Sequence, residues 1–104
     1  MTTWFVSRHP GAVEWVVRQS LEVHRQVAHL NLDDIQAGDT VIGSLPVNLA
    51  AKVCALGATY WHLSLEVPAH LRGKELDADA LQHLGARLES FQVQSNSFHT
   101  HTPL

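Results

Sequence analysis

Three short stretches combine side chains able to act on an anionic ligand. The first, Ser7-Arg8-His9-Pro10-Gly11, sets a hydroxyl, a permanent cation and a titratable imidazole side by side. Proline suits a first helical position, so this cluster falls at a helix amino end, where free N–H groups draw in negative charge. That combination suits phosphate, with His9 able to move a proton. The plain alternative has Ser7 capping the helix, Arg8 paired with a surface carboxylate and His9 an exposed turn residue; taken alone, the turn favours it. The second stretch, Gly43-Ser44-Leu45-Pro46-Val47-Asn48, again brings hydrogen-bonding groups to a helix amino end. Gly43 permits close backbone approach, Ser44 can bond an oxyanion or a ligand hydroxyl, and Asn48 lies one turn in. It is neither a GxxxxGK[ST] loop nor a GxGxxG turn, and a capping serine accounts for it equally well. The third, Arg72-Gly73-Lys74, offers two cations on a flexible loop that could close over a held anion. A solvated basic loop is the default reading, and Glu75, Asp77 and Asp79 partly neutralise it.

Other chemistries find less support. Of the eight histidines, His24 and His29 are five apart, no HExxH occurs, and His99 with His101 sit in a polar tail. No metal or other cofactor is expected from these spacings. His62 reads as a packed or partly exposed sheet residue, and His70 and His83 as loop and helix-surface positions. Cys54, the lone cysteine, can form no internal disulfide and fits a packing role on a helix. Seven basic against ten acidic residues give a net charge of -3, which does not suit a protein that coats duplex nucleic acid; a polyanion must be met locally. No apolar run nears the roughly 18 residues needed to span a bilayer. A single cysteine makes a reducing cytoplasm the expected location, and the amino end lacks the pattern of a secretory signal.

With 104 residues, the chain is long enough for one core, expected over residues 1–94 with a flexible tail at 95–104. Thr3 to Ser7 reads as a strand. Val13, Val16, Val17 and Leu21 then recur at helical spacing behind Pro10. Val23 to Leu30 suits an edge strand, and Asn31 caps one helical turn closed by Gly38. Thr40 to Gly43 reads as a buried strand, followed by a helix through Leu49, Val53 and Leu56 that stops at Gly57. Tyr60 to Val67 alternates, with Trp61, Leu63, Leu65 and Val67 on a packed face and His62, Ser64 and Glu66 on a polar one. Leu81, Leu84, Leu88 and Phe91 predict a last helix capped by Asp77.

This order favours an α/β fold, a mostly parallel sheet with right-handed crossovers and helices on both faces. Strand order 2-1-3-4 sends the connections from strands one and three to opposite faces. The crevice at that switch point receives Ser7-Arg8-His9 and the Gly43 to Pro46 turn.

Three blocks, TWFVSRHPGAVEWV, GDTVIGSLPVNLAAKVCALGA and YWHLSLEVPAHLRGKEL, occur in this order. Through them the chain resembles a small CRISPR-associated family of type III loci, the Csx family numbered sixteen. The resemblance runs from about Trp4 to Leu81 and implies a Rossmann-like accessory protein, related to CARF domains, that binds cyclic oligoadenylates and cleaves them as a ring nuclease. It further implies a metal-independent homodimer acting on cyclic tetra-adenylate, with no duplex nucleic acid or membrane as partner. On the shared blocks, Arg8, His9 and Lys74 would be catalytic, while Ser7, Gly43, Ser44, Asn48 and Arg72 would hold the ring. A sponge or sensor that binds the ring uncut, and a protein-binding subunit using exposed Trp4, Trp15 or Trp61, are the alternatives.

Overall fold

The structure is a computed structural model, and it describes residues 1–96. The expected tail from residue 97 onward, with His99 and His101, lies outside the described residues. Five strands alternate with three helices: β1 (Thr3–Val6), α1 (Pro10–Arg18), β2 (Arg25–Val27), β3 (Thr40–Gly43), α2 (Val47–Ala55), β4 (Thr59–Ser64), α3 (Ala78–His83) and β5 (Arg87–Phe91). Single 3-10 turns at Leu32–Asp34 and Ala69–Leu71 complete the described elements. The sheet order is β2-β1-β3-β4-β5, with the first four parallel and β5 antiparallel to β4. The fold is thus the expected Rossmann-like α/β sheet, and strands one to four take the expected places.

The expected last helix is corrected. It runs only from Ala78 to His83, capped as foreseen by Asp77 Oδ1, which accepts from the Ala80 N–H at 2.8 Å. Leu84 closes the helix, and Gly85, at φ +76°, then turns the chain left-handed. Beyond it Leu88 faces Leu63 and Phe91 faces Tyr60 across the antiparallel ladder. Burial of Leu88 against β4 therefore outweighs the three-and-four spacing that suggested a helix. Three lesser boundaries also differ. α1 stops at Arg18 because Ser20 adopts φ 59°, leaving Leu21 outside. β2 keeps only Arg25–Val27, at the edge, and β4 ends at Ser64, which leaves Leu65 to Val67 in the following loop.

Two cores flank the sheet. On one face Phe5, Ile42 and Leu63 pack with Trp15 and Val16 of α1 and Leu81 of α3. On the other, Val41 and Tyr60 pack with Ala50, Val53 and Cys54 of α2. The face of β4 expected to stay polar is thus partly covered, since Tyr60 is only 2% exposed. Each fully buried large apolar side chain contributes about 1.5–3 kcal/mol, so paired cores of this kind hold the sheet between its helices. Cys54 takes the expected packing role, its Sγ between Phe91 O and Val93 N.

Asp39 is the buried charged residue among those described. It lies just before β3, and its carboxylate accepts from Thr2 N–H at 2.9 Å, Gln36 N–H at 3.0 Å and Trp4 Nε1–H at 3.2 Å. The Thr2 and Gln36 amides chiefly hold this carboxyl below the ordinary carboxylate range, against the opposing effect of burial. Because the folded value is the lower one, its stabilisation is in place above the unfolded value near 4 and is lost as pH falls through the folded value. Asp39→Asn is therefore expected to lower the melting temperature at neutral pH and to flatten the fall in stability below about pH 4. Denaturant titrations across the acid range check this; parallel curves for the two proteins would refute it.

Candidate functional site

The connections leaving β1 and β3 part at the carboxyl ends of those strands, and a crevice of about 470 Å³ opens there. Six of the eight residues singled out from the sequence line it: Ser7, Arg8, His9, Gly43, Ser44 and Lys74. Arg72 and Asn48 do not. Asn48 instead faces a groove between α2 and the segment from Gln92 to Ser95. The floor is apolar, built from Phe5, Leu63, Leu65 and Leu81, while the polar groups gather on the turns above it. Such a division suits a ligand with a flat apolar part and a charged part.

The first turn is held by its backbone. Ser7 N–H donates to Val27 O at 2.9 Å, and Gln26 Nε2 donates to Ser7 O at 2.6 Å, so β2 fixes the point where β1 ends. Ser7 Oγ accepts from His9 N–H at 3.1 Å rather than capping α1. Among the described residues its hydroxyl proton meets no acceptor. His9 is the cap residue of α1, and its Nδ1 lies 3.5 Å from Glu75 Oε1. This contact, with both side chains well exposed, joins the first turn to the loop that carries Lys74.

The α1 terminus proves less open to anions than the sequence suggests. Pro10 has no N–H, the Ala12 and Val13 amides donate to His9 O, and Gly11 lies buried beneath the Leu76 backbone. The α2 terminus is better placed. Pro46 is its cap residue, with Ala50 N–H donating to Pro46 O, so the amides of Val47, Asn48 and Leu49 have no acceptor within the helix. Pro46 and Leu49 both reach the crevice.

Ser44 differs from Ser7 in an instructive way. Its Oγ donates to Leu63 O at 3.1 Å, so its proton is committed and its oxygen is left to accept. Ser44 therefore suits a ligand hydroxyl, and Ser7 a phosphate oxygen. Gly43 ends β3 where a Cβ would come within 2.9 Å of Val6 O; a side chain there would force the two central strands apart. Arg8 and Lys74 are exposed, and among the described residues neither has a carboxylate within 4.0 Å. Arg18 and Arg87, by contrast, are committed to Glu14 and Asp79 and to Glu66 and Glu89. The crevice thus draws two uncommitted cations in a chain whose overall charge is negative.

Sequence reasoning passed over Glu75 and His29 as neighbours of this site. A signal for Glu75 existed, since it adjoins the basic loop. The tryptophan patch that the protein-binding alternative requires does not form: Trp15 is 3% exposed, Trp4 is half-buried with its Nε1–H donating to Asp39, and Trp61 is 36% exposed. Among the described residues no three His, Cys, Asp or Glu side chains cluster as metal ligands, and no helix is long and apolar enough to cross a membrane.

Residues 4–94 match the family described as "Putative CRISPR-associated protein (Cas_VVA1548)". No curated protein and no solved structure matches the chain. The matched span takes in every residue of the crevice and, apart from Thr3, all of the strands and helices, and on it the chain belongs to this CRISPR-associated family.

Proposed function

We propose that the protein is a metal-independent ring nuclease of the Csx family numbered sixteen. It opens cyclic tetra-adenylate to linear di-adenylate in the cytoplasm and so ends type III signalling. What carries this reading is the convergence of Arg8, Lys74 and two hydroxyls of opposite hydrogen-bonding character on one crevice in a CRISPR-associated chain. The ring supplies four phosphates and repeated ribose hydroxyls. A two-fold homodimer would present the same turns to each half of it.

The reaction uses a nucleophile already on the ligand. A ribose 2'-oxygen bonds to the adjacent phosphorus while the bond from phosphorus to the 5'-oxygen breaks, leaving a 2',3'-cyclic phosphate and a 5'-hydroxyl. Ser44 Oγ, accepting from the 2'-hydroxyl, sets the line of attack. Arg8, Lys74, the Ser7 hydroxyl and the α2 amides meet the charge that builds on the phosphorus oxygens. The 2'-hydroxyl proton passes to solvent, and protonated His9, oriented by Glu75, gives the proton that the 5'-oxygen takes up; such a step contributes about a hundredfold or more. The 2'-hydroxyl is part of the ligand, so the scheme calls for no metal-activated water.

Incubating excess protein with labelled cyclic tetra-adenylate in EDTA tests this reading. The expected products are di-adenylate species with a 2',3'-cyclic phosphate end. Recovery of intact ring from a tight complex would replace cleavage by sequestration, and failure to bind would remove the ring as ligand.

A further inference from the structure

Tyr60 and His62 take no direct part in the chemistry above, yet they meet behind the crevice. Tyr60 is 2% exposed, and its Oη touches three groups: Leu45 N at 2.8 Å, Gly43 O at 3.1 Å and His62 Nδ1 at 2.6 Å. Both residues lie on the α2 side of β4, and His62 stands beside Gly43 in the parallel ladder. A phenol has one proton and can accept two. Leu45 N–H fills one acceptor site, which leaves the proton to go either to Gly43 O or to His62 Nδ1.

The two choices differ in the number of bonds formed. If the phenol donates to Nδ1, its contact with Gly43 O carries no hydrogen bond and one lone pair stays idle. If it donates to Gly43 O, an Nδ1–H on His62 fills that lone pair, and all three contacts become hydrogen bonds together. Buried polar groups take the arrangement that satisfies more of them. Burial also pushes the Tyr60 phenol above its ordinary value, which keeps the proton in place. The His62 ring packs edge-to-face with both Tyr60 and Phe91, which limits its rotation.

We infer that Tyr60 and His62 are positioning residues for the crevice, a relay from His62 Nδ1–H through the Tyr60 hydroxyl to Gly43 O that clamps the turn from Gly43 to Pro46 against β4. The inference rests on the proposed ring cleavage for its consequence and on the hydrogen bonds for its geometry. The clamped turn carries Ser44 and leads into the α2 amides, so its looseness would misplace both the attacking hydroxyl and the charge-stabilising donors. Leu63 O, which receives the Ser44 proton, is a second tie from the same strand. β4 thereby sets the position of one whole wall.

Tyr60→Phe keeps the ring and removes the clamp. Its cleavage rate at saturating cyclic tetra-adenylate is expected to fall about tenfold or more, with a smaller change in half-saturating concentration. Hydrogen exchange at the Leu45 amide should quicken, while that at Val41 in the core stays near the parent value. His62→Asn, which can place an N–H near the Nδ1 position, should keep most of the rate; His62→Ala should fall with Tyr60→Phe. Nitrogen NMR of the parent protein should find the proton on Nδ1. An Nε2–H tautomer, or Tyr60→Phe with parental Leu45 exchange and rate, would overturn the clamp. Should the parent protein leave the ring intact, the cleavage reading fails, while the tautomer and the Leu45 amide still decide the clamp.

Discussion

Arg8→Ala will slow single-turnover cleavage of cyclic tetra-adenylate by about a hundredfold or more, the usual cost of removing one preorganised donor from a charge-stabilising site. The melting temperature should hardly move. Arg8 is exposed and, among the described residues, pairs with no carboxylate, so folding does not draw on its charge. Arg8→Lys keeps the charge without the planar fork and should fall between the two. Adding Lys74→Ala should cost further rate, since both cations face one crevice. Unchanged single-turnover kinetics in the double variant would take this crevice out of the reaction.

The largest effect on the fold is expected from Gly11→Ala. Helical propensity alone makes alanine the better residue there by roughly 0.5–1 kcal/mol. Packing reverses the sign. A Cβ at Gly11 would lie 1.9 Å from Leu76 O and 2.9 Å from Asp77 Cα, and both are backbone atoms that cannot swing aside. Overpacking of this sort costs about 1–3 kcal/mol, and each kcal/mol is worth about 4–8 °C in a domain of this size. The substitution should also lift the loop that carries Lys74 and Glu75, breaking the contact between Glu75 and His9. Ring cleavage is thus expected to fall further than the loss of folded protein explains. Thermal melts beside cleavage assays separate the two effects; an unchanged or raised melting temperature would refute the clash.

Much of this arrangement is legible in the chain because it is local. Pro10 behind Ser7-Arg8-His9, and Pro46 behind Gly43-Ser44, mark where strand gives way to helix, and the parallel crossovers then bring both turns to one end of the sheet. Asn31 and Asp77 cap their helical turns as read, because a side-chain cap bridges only two or three residues. What escapes a linear reading depends on distant partners. Leu81, Leu84 and Leu88 fit a helix until Leu63, met across the sheet, takes Leu88. Arg72 and Lys74 look equivalent, but Arg72 closes the 3-10 turn at Ala69–Leu71 while Lys74, two residues on, reaches the crevice. Tyr60 shows its clamp only when β4 is laid beside β3, which brings Gly43 and Leu45 to its hydroxyl.

The walls of the crevice come from stretches scattered between Phe5 and Leu81, and the first strand in the chain must wait for β3, the middle strand of the sheet, to pair on its inner side. Such non-local pairing gives a high contact order and late closure. A nascent chain still emerging from the ribosome has no partial pocket to offer, because the loop bearing Lys74 and the helix that seats it are translated after four of the strands. The crevice therefore takes shape only after the chain has been made through Leu81, and a fragment cut within that span lacks one of its walls.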